Sequence, residues 1–278
     1  MQNHLFCFGL GYCASHFADF LLPLGWKISG TCRSEDKLRN LSKKSIQGYL
    51  FNHKLNLDTV THILLSIPPS IDDGDIVLNQ YFTVLKNMPN LKWVGYLSTT
   101  GVYGNHNGDW VDENTMVKPT NKRSEYRVSA EKDWLNSGLP AHIFRISGIY
   151  GQGRSAIDAI KNKTARRIDK PGQVFCRIHV EDICQILYAS INNPNPGQIY
   201  NCADDYPSSQ ADVVLYAANL LQVEPPELVA IENSDLSQMA LSFYEGCRRV
   251  SNRKIKEELG VKLKYPNYMS GLESVLNY

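Results

Sequence analysis

The sequence predicts a doubly wound α/β fold, a parallel sheet with helices on both faces, followed by a smaller, loop-rich C-terminal region. Three observations predict it. Short apolar runs alternate with longer amphipathic stretches, which is the rhythm of strand–helix–strand units. The first apolar run, Leu5–Phe8, ends in a Gly-x-Gly turn that opens directly into a helical pattern. Beyond Gly151 the rhythm loosens, and Pro, Asn and Gly become more frequent. With 278 residues, 43% of them hydrophobic, the chain can bury a core of the required size.

Each element follows from its local pattern. The first strand is expected at Leu5–Phe8 and its helix at Ala14–Leu22, with Gly25 just past it in the left-handed position that ends helices. Lys27–Thr31 reads as the second strand. Gly48–Phe51, His62–Ile67, Trp93–Ser98 and His142–Ile146 follow as further apolar runs. Helices are expected at Ile76–Met88 and Glu125–Ser137, the second closed by Gly138. Residues 1–150 would form the sheet region and 151–278 the second region, interleaved with late strands of the sheet. There, Ser208–Gln222 reads as a helix after Pro207, with Val213, Val214, Ala217, Leu220 and Leu221 on one apolar stripe.

Charge and composition exclude several function classes. Lysine and arginine number 29 against 28 acidic residues, so the chain lacks the bulk field that holds nucleic acid or an anionic membrane surface. No segment approaches 18 apolar residues, and no basic stretch precedes the first apolar run, so neither a membrane span nor a signal peptide is expected. The seven cysteines are scattered and form no Cys-x-x-Cys pair, which points to reduced thiols and a cytoplasmic setting. No histidine has another three or four residues away, so no metal site is expected.

The turn after the first strand carries the first chemistry. A pyrophosphate needs backbone N–H groups it can approach without a Cβ in the way, and it gains from the positive end of a helix. In "FGLGYCA", Gly9 and Gly11 give that access, Tyr12 follows, and Ala14 takes the place of the third small residue, which lets helix and strand pack closely. Cofactors with a free ribose 2′-hydroxyl are held by an acidic residue at the end of the second strand. That place is Thr31 here, with Arg33 two residues on. An arginine fork beside a hydroxyl suits a 2′-phosphate, so NADP is favoured over NAD; the alternative is a surface arginine paired with Glu35 or Asp36.

Eight segments, "GLGYCA", "GTCRS", "SIPPS", "YLSTTGVYG", "RISGIYGQGR", "RIHVEDI", "GQIYNCADD" and "RRVSNRKIKEELG", stand in an order that resembles the extended and atypical short-chain dehydrogenase/reductases, the NAD-dependent epimerase/dehydratase-like proteins. The resemblance covers nearly the whole chain and implies a Rossmann fold whose C-terminal region binds substrate over the carboxyl ends of the strands. It implies cofactor contacts at Ser66 and Ser98 and a reacting-oxygen contact at Thr99, three residues before Val102. Thr100, Tyr103 and Gly148 would border the substrate. The family's acid/base is the tyrosine of Tyr-x-x-x-Lys. Tyr126 stands about where it belongs, but Ala130 occupies the lysine position, and none of the fifteen tyrosines has lysine four residues later. Tyr126 therefore either works with another partner or packs. Arg127 and Lys132 fall on other helix faces.

Substrate clues point away from nucleotide sugars and leave an anionic compound open. Gly148 stands where such enzymes carry Asn three residues after the strand arginine, here Arg145, and Phe175 stands where they carry a phosphate-binding arginine. Arg177, two residues later, would face the same side of a strand. "KNKTARRIDK" adds Lys161, Lys163, Arg166, Arg167 and Lys170, either as a solvated face or as a border of the cleft. His179 and Asp182 match a motif expected to dock the second region. The leading reading is an NADP-dependent oxidoreductase or epimerase-like enzyme acting on a small carbonyl or sugar-type compound, with a homodimer through the Ile76–Met88 and Glu125–Ser137 helices implied by the resemblance. The alternative is a catalytically silent NADP(H) sensor, and fold analogy alone does not separate the two.

Overall fold

The computed structural model describes residues 2–51, 53 and 55–276. Along the chain run β1 (His4–Phe8), α1 (Tyr12–Leu21), β2 (Lys27–Cys32), α2 (Glu35–Lys43), β3 (Gln47–Leu50) and β4 (His62–Leu65). They are followed by α3 (Ile76–Lys86), β5 (Trp93–Thr99), α4 (Lys122–Asn136), β6 (Ala141–Ile146), α5 (Val180–Asn192) and β7 (Ile199–Cys202). The seven strands form one sheet in the order β7-β6-β5-β4-β1-β2-β3. Pairing is parallel at β1–β2, β1–β4, β2–β3 and β4–β5, with Leu5 opposite both Ile28 and His62. Every residue of β1 is buried, as its unbroken apolar run requires of a strand covered on both faces.

The strand order reverses between β1 and β4. The chain runs outward through β2 and β3 and returns on the other side of β1, so the turns after β1 and β4 border the crevice where such sheets take their ligands. Beneath this crevice, Phe6, Phe8, Ile63, Val94, Tyr96, Ala130, Trp134 and Ile143 form one buried cluster. Local chemistry fixes the helices around it. Asp75 caps α3 through the N–H groups of Val77 and Leu78, and its other oxygen accepts from Trp134 Nε1 of α4 at 2.8 Å. Asn121 caps α4 through Ser124 N.

Two histidines at the start of the sheet are structural. His4 meets Ser29 Oγ at 2.7 Å and Thr59 Oγ1 at 2.9 Å, and His62 meets Thr61 Oγ1 at 2.8 Å. Burial lowers both to about 4, helped by Lys27 at His4 and Lys92 at His62. They are neutral pieces of the core at neutral pH.

The chain divides into two units. The first comprises Met1–Thr99, Asn121–Arg145 and Ile183–Tyr200; the second comprises Thr100–Thr120, Ile146–Asp182 and Asn201–Tyr278. The division falls at the end of β5, one residue before the end of β6, inside the first turn of α5 and within β7. The second unit is more regular than its Pro, Asn and Gly content suggests. Three short parallel pairs form in it: Gly148–Tyr150 with Arg177–His179, Arg167–Asp169 with Leu228–Ala230, and Trp110–Val111 with Arg249–Val250. The expected late helix spans Gln210–Leu221, and its Val213 and Ala217 join Tyr150, Ile157, Tyr268 and Leu272 in the unit's core. In the basic run, Arg166 pairs with Asp235 and Lys170 donates to the Tyr244 carbonyl, so these two cations are engaged within the unit.

Candidate functional site

The turn between β1 and α1 is held from β2. Gly9 N donates to Thr31 Oγ1 at 2.8 Å and Leu10 N to the Thr31 carbonyl at 2.8 Å. Thr31 is buried, so its hydroxyl braces the turn from within rather than reaching outward to a ribose. Gly9 has φ +87, and a Cβ there would lie 2.8 Å from Ile67 Cγ1; the fold itself demands glycine at this position. Gly11 differs. Its backbone is extended, it caps α1 without any side-chain hydrogen bond, and a Cβ would meet only Ser66 Oγ, at 3.7 Å. The space over Gly11 is thus left open by the protein, beside Ser66 and at the positive end of a ten-residue helix with no acidic residue in its first turn. These are the features a pyrophosphate requires, and the residues present fit a dinucleotide. Ala14 is fully buried under the turn, and Tyr12 packs its ring 4.6 Å from that of His16.

Past the end of β2, Arg33 is exposed and forms no ion pair among the described residues; Asp36 pairs with Arg39 instead. Sequence reasoning missed Lys37, whose Nζ donates to the Leu10 carbonyl in the turn itself. Its signal was the four-residue spacing from Arg33 across the start of α2.

At the carboxyl end of β5 the hydroxyl row divides. Ser98 is buried and donates to Glu131 of α4, so its hydroxyl is committed inside the protein. The Glu131 carboxylate also receives Arg145, from Nε to both oxygens at 3.2 Å and from Nη2 to Oε2 at 2.7 Å. Thr99, the last residue of β5, is half-buried, and so is Tyr126. Ala130 is 2% exposed within the apolar cluster that holds Tyr96 and Trp134, so position 130 faces the core. Arg127 is the cation of α4 that does reach the strand end: it donates to the Leu97 carbonyl, with its guanidinium carbon 5.8 Å from the Tyr96 ring centroid. Neither Arg127 nor the Glu131–Arg145 pair was expected, because a search for Tyr-x-x-x-Lys looks one position away from both.

The substrate candidates belong to the second unit. Thr100 and Tyr103 are buried in the helical turn after β5, and the Tyr103 hydroxyl donates to Asn201 Oδ1 at 2.8 Å. Gly148 is exposed and pairs with Arg177. Arg177 itself is turned inward. Its Nη1 donates to Phe175 O at 3.0 Å, Ser208 O at 3.0 Å and Ser208 Oγ at 2.9 Å, and its Nη2 to Gln210 Oε1 at 3.0 Å. This guanidinium clamps the Ser208–Gln210 segment, which corrects the expectation of an anion grip: its donors are spent on protein acceptors, alongside the backbone bonds that already join Phe175 and Ser208. Asp182 accepts from the backbone N–H groups of Lys264 at 2.7 Å and Tyr265 at 3.0 Å, so it anchors the C-terminal segment. Arg248, also missed, donates to Gly104 O at 2.8 Å, has a buried Nε without a partner, and is pushed down by burial. Among the described residues no cluster of His, Cys, Asp and Glu suits a metal, and no helix is long and apolar enough to cross a membrane.

Comparison with known proteins agrees with this architecture. No family model matches the chain. A conserved protein of unknown function from Silicibacter pomeroyi DSS is 46% identical to it over 99% of both chains, with a TM-score of 0.93. Protein YeeZ of Escherichia coli K12 is 25% identical over 93% of this chain and 95% of its own. A dTDP-glucose 4,6-dehydratase from Bacillus anthracis in complex with NAD superposes with a TM-score of 0.78 at 20% identity, covering 100% of this chain and 96% of that one. A UDP-glucuronic acid 4-epimerase from Bacillus cereus in complex with NAD gives 0.79 at 16% identity, covering 99% and 96%. The chain thus belongs with the Silicibacter pomeroyi protein in one family and shares the fold of the NAD-bound dehydratase and epimerase.

Proposed function

We propose that this chain binds a nicotinamide dinucleotide at the Gly9–Gly11 turn and acts as an oxidoreductase or epimerase-like enzyme on a small carbonyl or sugar-type compound. The observation that carries the reading is the open face of Gly11, bordered by Ser66 and the uncapped start of α1. A bound nicotinamide ring would supply hydride transfer. The chain's own groups bind and orient: Gly11 and the first turn of α1 take the pyrophosphate, Thr31 fixes the turn, and Thr99 offers its hydroxyl to the reacting oxygen at the end of β5. The dehydratase and epimerase on the same fold are complexed with NAD. Here, exposed Arg33 and nearby Lys37, with no carboxylate at the end of β2, favour NADP.

The second reading, a sensor that binds NADP(H) without turnover, is favoured by Ala130, whose burial leaves Tyr126 without a cation four residues on. Calorimetric titration with NADPH and NADH, alongside turnover of a panel of aldehydes, ketones and sugar nucleotides, separates the readings. Arg33→Ala should weaken NADPH by about 1.5–3 kcal/mol and leave NADH nearly unchanged. Equal losses overturn the NADP assignment. Tight binding with no turnover across the panel moves the function to the sensor.

A further inference from the structure

We propose that Arg127 holds the nicotinamide-side half of the dinucleotide, a positioning role that the core-facing Ala130 cannot fill; this rests on dinucleotide binding at the Gly9–Gly11 turn. The strand reversal between β1 and β4 divides the crevice in two. On the β2 side stand Arg33 and Lys37, next to the adenosine half. The other half lies toward the carboxyl ends of β4 and β5, where the polar groups that reach the surface determine its grip. Ser98 is committed to Glu131, and Ala130 is enclosed by apolar side chains.

Arg127 is placed differently. Its bond to the Leu97 carbonyl and its position over the Tyr96 ring fix the guanidinium at the end of β5, one residue before Ser98 and two before Thr99. A guanidinium has five N–H donors, and the Leu97 carbonyl with the neighbouring Tyr96 hydroxyl leaves others for a ligand. Glu131, one helical turn on, is taken by Arg145 and Ser98, so Arg127 has no ion-pair partner among the described residues. A half-buried cation held rigidly without a counter-charge is unfavourable alone and favourable once oxygen acceptors arrive. The ribose hydroxyls and phosphate of the nicotinamide half are acceptors of that kind.

The test uses the full chain and two ligands, NADPH and adenosine 2′,5′-bisphosphate, which carries only the adenosine half. Arg127→Met should weaken NADPH at least tenfold and leave the bisphosphate within twofold of wild type, with Arg127→Lys in between for NADPH. Unchanged NADPH affinity in Arg127→Met, or equal losses for both ligands with a native far-UV spectrum, overturns the role of Arg127 while dinucleotide binding stands. If wild type binds neither ligand, nor NADH, the nucleotide reading fails and the proposal with it.

Discussion

Replacing Glu131 with Gln keeps the size of a side chain that is 4% exposed and removes its charge, leaving the Arg145 guanidinium, 5% exposed, buried without its counter-ion. Three Arg145–Glu131 hydrogen bonds of 2.7–3.2 Å and the Ser98 hydroxyl meet on this one carboxylate. Breaking a buried pair from one side costs about 3–5 kcal/mol, because an uncompensated charge stays in a low-dielectric site. Arg145→Met should cost a similar amount from the other side. The double variant removes both charges and should recover much of the loss, giving a coupling of about 2 kcal/mol or more. The assay is urea denaturation of wild type, both single variants and the double at pH 7, followed by far-UV circular dichroism. A loss below 1 kcal/mol in Glu131→Gln, or a double variant that loses the sum of the singles, would refute the reasoning.

Three further outcomes follow from burial. Asp204 is 2% exposed with one oxygen unpartnered, and burial raises it from 3.8 to about 7, against the pull of Tyr206 N–H and Arg177. The folded state thus takes its proton first, so its contribution weakens as pH rises through about 7; Asp204→Asn should gain about 2–3 kcal/mol over wild type between pH 5 and pH 8, and a pH-independent difference would contradict this. His4 and His62, lowered to about 4, act with the opposite sign: the unfolded chain takes their protons first, so each subtracts stability as pH falls from 6.5 toward 4. Replacing either with Gln should flatten the acid limb of a melting-temperature profile. Ala130→Lys should lower the melting temperature without raising turnover, because the new ammonium would enter the cluster of Tyr96 and Trp134; a gain in turnover would show that position 130 reaches the site.

Much of the first unit was legible in the sequence because burial on two faces leaves a plain signal. β1, β4 and β6 are predominantly apolar runs, interrupted at His4, His62, His142 and Arg145, and are found within two residues of their expected ends. α2 was not expected: its Glu-Asp-Lys-Leu-Arg-Asn stretch is polar, buries only Leu41, and depends on the Ser34 cap. β7 was quoted as part of a motif and not recognised as a strand, since four residues after a Pro-rich loop carry no period of their own. At the site, the turn glycines were readable because the positive φ and close packing of Gly9 leave a residue-type signature. Long-range pairings were not. Arg145 lies fourteen residues from Glu131, and nothing in either local pattern says they meet. Arg177 looked available on a strand, yet its partners, Ser208 to Gln210, lie more than thirty residues away.

The central claim is that the open face of Gly11 receives the dinucleotide phosphates, and Gly11→Val tests it most directly. With φ −78 and only Ser66 Oγ at 3.7 Å, the backbone and surroundings accept a side chain there, so the variant should fold as wild type does. Isothermal titration calorimetry of both proteins with NADPH and NADH should then show wild type binding at least one of them and the variant more than a hundredfold weaker, about 2.7 kcal/mol. A natively folded Gly11→Val protein that binds as tightly as wild type would contradict the account and reduce the glycine turn to a structural bend.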